Sequence, residues 1–448
     1  MNSLEQYIDL YESNRDTIDA HSAGALNARR PQALQNLKMA GRLADSGDEG
    51  FEKTSVNDMF APDFGVNISR VNIPVDVANS FRCDVPNLST LLGFVLNDSF
   101  HPTSKLESKL PEGVLYTSLR QAALQYPDLV EKYYGSLAPL GDVSVALNTL
   151  LAQDGVFIYL PKNTRLERPI QLVNIFSAPV PMLAFRRVLI VLEEGAELQL
   201  IVCDHTQESG AKFLASQIVE VIVGENASFE TCAIEESSSH TSRYSKLYVS
   251  QQAHSRVTYN STTLTCGNTR NEFTIDLLGE HCETHIAGMA IGSDKMHIDN
   301  DSAINHRSPR CKSNQLFKYV LDEEATGAFE GSILVTPGAQ YTEAYQSNRN
   351  ILASTSARMH CKPQLEIYND EVKCSHGATT GQLDNDALFY MRTRGIPEAE
   401  ARTMLMQAFM IDVIDTVHIP GLQERLRHLV ERRFAGTLGN CSSCKEKC

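Results

Sequence analysis

From about Gly155 onward the chain repeats one phrase, a β-branched apolar run that ends in a polar turn. Leu160-Pro161-Lys162-Asn163-Thr164 is echoed by Leu192-Glu193-Glu194-Gly195-Ala196 and then by Val223-Gly224-Glu225-Asn226-Ala227, at spacings of 32 and 31 residues. Leu278-Gly279-Glu280-His281-Cys282, Leu321-Asp322-Glu323-Glu324-Ala325, Val335-Thr336-Pro337-Gly338-Ala339 and Tyr368-Asn369-Asp370-Glu371-Val372 carry the phrase toward the C-terminus. A unit of this length cannot bury its apolar face alone and has to stack on its neighbours, which is the condition for a solenoid. The same short runs also suit an antiparallel sandwich, and spacing alone leaves both open. The expected fold is mainly β with helical ends, its β-helix-like core spanning 140–380.

Helical patterns flank that region. Leu4, Ile8 and Tyr11 are spaced for one helical face, Pro31 suits the first turn of a helix through Ala44, and further helical signals cover Ser118–Tyr126 and Asp128–Tyr134. Together these define an N-terminal mainly helical segment, 1–139. Asp384 or Asp386 can cap a helix running to Arg394, with Gly395 and Pro397 separating it from the next. In that next helix Ala401, Leu405, Ala408, Phe409 and Val413 share a face. A last amphipathic helix, Gly421–Phe434, turns Leu422, Leu426, Leu429 and Val430 inward and leaves Arg425, Arg432 and Arg433 on a solvated side. The C-terminal helical segment is thus 381–436, followed by a Cys-rich tail, 437–448.

Composition narrows the function. The 55 acidic against 40 basic residues, a formal charge of −15, argue against a nucleic-acid surface. No apolar stretch approaches a membrane span, and Met1-Asn2-Ser3-Leu4-Glu5 lacks the basic-then-apolar start of an export signal. Eleven irregularly spaced cysteines without such a signal favour reduced thiols and a cytoplasmic setting. Phosphate-loop, Rossmann and nucleophile-elbow motifs are missing, which fits a non-catalytic scaffold.

The most informative local pattern is Cys374-Ser375-His376, a thiol and an imidazole two residues apart in a strand-like run. Period-two alternation puts both on one face with Cα atoms roughly 6 to 7 Å apart, close enough to converge on one soft or borderline metal. Two ligands do not hold a transition metal, so a site here needs others from outside the pair; the plainer reading is a buried thiol beside a structural histidine. His297, Asp299 and Asp301, with His306 and Cys311 nearby, fit a solvated or structural role better than a metal site. His281, Cys282 and His285 fall in a turn and strand, where the spacing does not make a chelate. Cys441, Cys444 and Cys448 could coordinate zinc or cluster iron but lack a clear fourth ligand, and read better as a disordered or redox-active tail.

Gly338-Ala339-Gln340, Gln346-Ser347-Asn348-Arg349-Asn350, Lys362-Pro363-Gln364-Leu365-Glu366-Ile367-Tyr368, the Cys-Ser-His-Gly-Ala-Thr run from Cys374, and Leu388-Phe389-Tyr390-Met391-Arg392-Thr393-Arg394-Gly395-Ile396 follow one another as they do in the SufB/SufD scaffold family of the SUF iron–sulfur cluster assembly machinery. The block resembles the SufD branch. SufB-like chains carry a cysteine in the strand that here reads Asn350-Ile351-Leu352-Ala353-Ser354, and an acidic residue where His376 stands. The resemblance implies a right-handed parallel β-helix between helical segments, a heterodimer with a SufB-like scaffold, and docking of a SufC-like ATPase on the C-terminal helices. It also implies a transient iron or iron–sulfur cluster at the subunit interface, with His376 as ligand and Cys374 in support. It leaves room for a reduced flavin in the complex and for a homodimer of the isolated chain. The competing readings are a SufB-like paralogue, a β-helix carbohydrate-active enzyme, which the absence of Trp disfavours, and an interaction protein whose Cys-x-His pair is inert.

Overall fold

The computed structural model describes residues 2–71, 89–103, 106, 109–207, 210–419 and 421–436; the tail cysteines Cys441, Cys444 and Cys448 lie outside them. Beginning with Val156–Leu160, successive strands alternate between two sheets. Each pairs in parallel with the strand two ahead, so one full coil separates every ladder partner. The coil length runs from 26 residues (Arg243 to Thr269) to 32 (Thr326 to Arg358). The result is a flattened β-solenoid of two ten-stranded sheets, so the solenoid reading holds over the sandwich.

One corner explains why the turn phrase repeats. Asn163, Gly195, Asn226, His254, His281, Arg310 and Tyr341 all have positive φ, one in each successive coil. The left-handed conformation costs a non-glycine residue about 1–2 kcal/mol, which the stacked corner offsets with backbone bonds between coils. Asn226 N–H donates to Ala253 O at 2.9 Å, and His254 N–H donates to Glu280 O at 2.9 Å. The Leu321–Ala325 echo belongs instead to the opposite corner, where Asp294 and Glu323 have positive φ.

Inward side chains fill the lumen. Phe273, Phe317 and Phe329 stack through successive coils with ring centroids 6.2 and 4.7 Å apart. Toward the C-terminal end polar rungs join them: Gln346 donates to Gln315 at 3.2 Å and Ser302 to Gln315 at 2.6 Å.

The helices cover the outer faces. The N-terminal helix Ser3–Ala20 buries Leu4, Tyr7 and Tyr11 in a core shared with Phe185 and Leu214 of one sheet. A strap after it is pinned by Arg270, which stacks on Phe51 at 4.4 Å and donates to Gly50 O, while Thr54 donates to Asp299 at 2.5 Å and touches His297 at 2.8 Å. Arg270 also pairs with Asp299 and Asp301, so the His297–Asp301 group is structural, as its preferred reading held. Helix Leu422–Phe434 buries the four residues expected and packs on the other sheet.

Two expectations about this end need correction. Helix Glu398–Ile414 buries Ala401, Met410, Val413 and Ile414, while Ala408 is exposed. Lys318 sets the rotation, donating to Phe409 O at 2.7 Å and to Asp412 at 2.5 Å. Arg433 is not on a solvated side: its guanidinium caps Leu264 O at 2.7 Å and bonds Ser293 Oγ at 2.6 Å.

No helix among the described residues is long and apolar enough to cross a membrane.

His306, fully buried and 2.8 Å from Ser313 Oγ, has its pKa pulled down from 6.5 to about 4 by burial. A base held neutral by the fold costs stability as acid protonates the unfolded chain, so this contribution is complete above 6.5 and is lost as pH falls toward about 4. Urea-unfolding midpoints across that window should fall less steeply for His306→Gln than for wild type. Parallel pH dependences would contradict the assignment.

Candidate functional site

The two ends of the solenoid differ. At the N-terminal end antiparallel pairs finish both sheets, Leu91–Leu96 with Ser99–Pro102 and Leu115–Ser118 with Val156–Leu160. At the other end the sheets stop at Arg358–Ile367 and Lys373–Gly381, and among the described residues no further strand pairs with either. From Val156–Leu160 on, every earlier strand of the solenoid buries several of its residues, some nearly all of them; these two are partly or largely exposed along their whole length. Pro363 sits in one of them, where a missing N–H is tolerated at a sheet edge.

Register places the predicted residues. Cys374 lies beside Ala344 and His376 beside Gln346, both buried lumen positions, while Ser375 lies beside exposed Tyr345. Cys374 and His376 therefore share the lumen face, as the alternation requires. They are unequal, however. Cys374 is half-buried against Ile333, Val335, Ala339 and Ala344, whereas His376 is exposed. Burial pushes the Cys374 thiol above its ordinary pKa of 9.0, opposed only in part by the Ala344 backbone.

The facing wall of the same coil carries a thiol that sequence reading passed over. Cys361 pairs in register with buried Phe329, so it too points into the lumen. Its sulfur lies 3.0 Å from Asn348 Oδ1, 3.3 Å from Asn350 Nδ2 and 3.9 Å from Thr380 Oγ1. The alternation Cys361, Pro363, Leu365, Ile367 was the available signal. No three His, Cys, Asp or Glu side chains among the described residues come close enough to hold a metal ion. The chain thus offers an incomplete ligand set at an open end.

A cleft of ≈ 1510 Å³ lies elsewhere, along the opposite corner between Asp58–Phe64 and Arg433, with Ser237–His240 and Thr265–Asn268 in its wall. It contains none of Cys361, Cys374 and His376. Glu235, raised to about 7 mainly by burial, is enclosed with Arg243 at 2.9 Å and has a structural setting. Beyond the last strand, helix Asn385–Thr393 exposes Phe389 and Tyr390, at 68% and 58%.

Comparison with known proteins agrees with this architecture. Residues 175–409 match the family described as SUF system FeS cluster assembly, SufBD core domain, and residues 1–172 match the SufBD protein N-terminal region. The chain belongs to the SufBD family of iron–sulfur cluster assembly proteins. It is 30% identical over 412 residues to a SufBD family protein of Synechocystis sp., covering 90% of each chain. It is also 28% identical to the SufD proteins of Bacillus subtilis (354 residues, 78% of this chain and 80% of that one) and of Escherichia coli (304 residues, 66% and 70%).

Because the Cys374 pKa lies above 9.0, the residue is a protonated thiol at neutral pH. Its alkylation by iodoacetamide, followed peptide by peptide, should be slow at neutral pH and rise only beyond that value. A rate that already levels off near neutrality would show a thiolate and contradict the geometry.

Proposed function

We propose that this chain is a SufD-type, non-catalytic scaffold subunit that pairs with a SufB-like paralogue through the open end of its solenoid. The observation that carries the reading is the uncovered last coil, with His376 and Cys374 side by side on its lumen face and too few ligands of its own. Imidazole and thiolate both bind iron. A ligand set shared across two subunits holds a nascent cluster only while they are together, which suits a cargo meant to be passed on. His376, exposed at the rim, is the principal ligand; Cys374 supports it from its apolar seat. Reduced flavin in the assembled complex and a homodimer of the isolated chain belong to the same proposal. A cytoplasmic setting fits the reduced thiols.

Phe389 and Tyr390 are the proposed contacts for a SufC-like ATPase. Two exposed aromatic rings on a helix that directly follows the last strand would couple ATPase movement to the open end. Large apolar residues of this kind are frequent anchors of protein interfaces.

Co-purification with SufB-like and SufC-like subunits, followed by Mössbauer spectroscopy, tests the site. His376→Ala should abolish cluster maturation and leave the complex intact; maturation at the wild-type level would overturn the assignment. Phe389→Asp should weaken retention of the ATPase subunit by about tenfold or more without loosening the SufB-like partner. Unchanged ATPase binding would move the docking surface elsewhere.

A further inference from the structure

At the corner with the left-handed ladder, the residue after the positive-φ position points inward and is buried in successive coils: Ala196, Ala227, Ser255, Cys282, Cys311 and Thr342. In two neighbouring coils it is cysteine, and no other two described cysteines occupy matching positions on neighbouring rungs. The next residues, Glu283 and Lys312, are in register, and Lys312 N–H donates to Cys282 O at 2.8 Å. The two Cα atoms therefore stand one strand spacing apart, about 4.8 Å, inside the span a disulfide bridges.

The sulfurs converge. Both lie 3.2 Å from the carbonyl oxygen of Gly279, to which each thiol donates. The Cys282 thiol also donates to Gln252 O at 3.1 Å, and Ser255 Oγ lies 3.7 Å from its sulfur. The neighbouring Cys311 side chain pulls the Cys282 thiol down to about 7, and Cys282 in turn pushes Cys311 up. Cys282 is thus the more readily ionised of the two sulfurs. Both cysteines are buried at the corner, and His281 and Arg310, the residues just before them, are exposed.

We propose that Cys282 and Cys311 form an oxidation site that a peroxide converts to a disulfide clamping two adjacent coils. The Cys282 thiolate attacks one oxygen of hydrogen peroxide and the O–O bond breaks. Cys282 is left as a sulfenic acid, and the departing hydroxide takes a proton to become water. The Cys311 sulfur then attacks the sulfenic sulfur, the S–O bond breaks, and a second water leaves with the Cys311 proton. Two thiols and one peroxide give one disulfide and two waters.

The test treats the full chain with hydrogen peroxide, blocks residual thiols, and maps cysteine states by peptide mass spectrometry. The expected product is a peptide pair linked through Cys282 and Cys311, released by a reductant. In Cys311→Ser, Cys282 should stop at the sulfenic acid and be trapped by dimedone. In Cys282→Ser, Cys311 should remain reduced. Serine already occupies the equivalent place in the preceding coil at Ser255, so both variants fit the corner. Recovery of both cysteines as free thiols while others oxidise, or no dimedone adduct on Cys282, would overturn the proposal. Should either variant misfold, the linked peptide in the wild type decides the matter alone.

Discussion

The parallel ladder between coils is the interaction on which everything else depends. Each strand satisfies its backbone groups only by pairing with the coil before and the coil after, and each lumen residue is buried only when another coil lies above it. The corner conformations at Asn226, His254 and His281 exist because the ladder holds them in place. The same requirement gives the last coil its character. Arg358–Ile367 and Lys373–Gly381 have neighbours on one side, and their outer edges retain the pairing capacity that an interior strand has spent.

Covering helices and open end divide the molecule's tasks. On one sheet the N-terminal helices and the strap held by Arg270 make the outer face dry; on the other, Met410, Val413, Leu422 and Leu426 do so. Much of both broad faces is thereby covered, and the proposed pairing uses the end instead. There the proposed ligands Cys374 and His376 stand on a strand rather than a loop, so their spacing is set by the pleat and by the rung beneath. The apolar seat of Cys374 keeps its thiol protonated until something draws it out, while His376 faces outward. Between the two lies the division of roles expected of a half-site.

Much of this was legible in the chain. Leu422, Leu426, Leu429 and Val430 could be placed because amphipathic spacing was strong and nothing competed with it. The strand-and-turn phrase was readable wherever the corner used Gly or Asn, at Gly195 and Asn226. It faded at His254 and Arg310, where the ladder holds the left-handed backbone on residues that signal it less clearly than Gly or Asn. Helix Glu398–Ile414 was turned differently because a buried lysine on another element, Lys318, fixes its rotation, and Arg433 was misplaced because its acceptors are carbonyls distant in sequence. Cys361 escaped notice because its significance lies in the coil that brings its strand opposite Lys373–Gly381. Local patterns carried the elements, and long-range polar contacts carried the corrections.

The central claim is that the uncovered last coil is completed by a second, SufB-like subunit. Hydrogen–deuterium exchange of the backbone amides of Arg358–Ile367 and Lys373–Gly381, with and without that subunit, addresses it most directly. Rapid exchange in the isolated chain that becomes strongly protected in the complex is the result expected. Exchange that stays unchanged in both strands, with protection appearing on another surface, would contradict it.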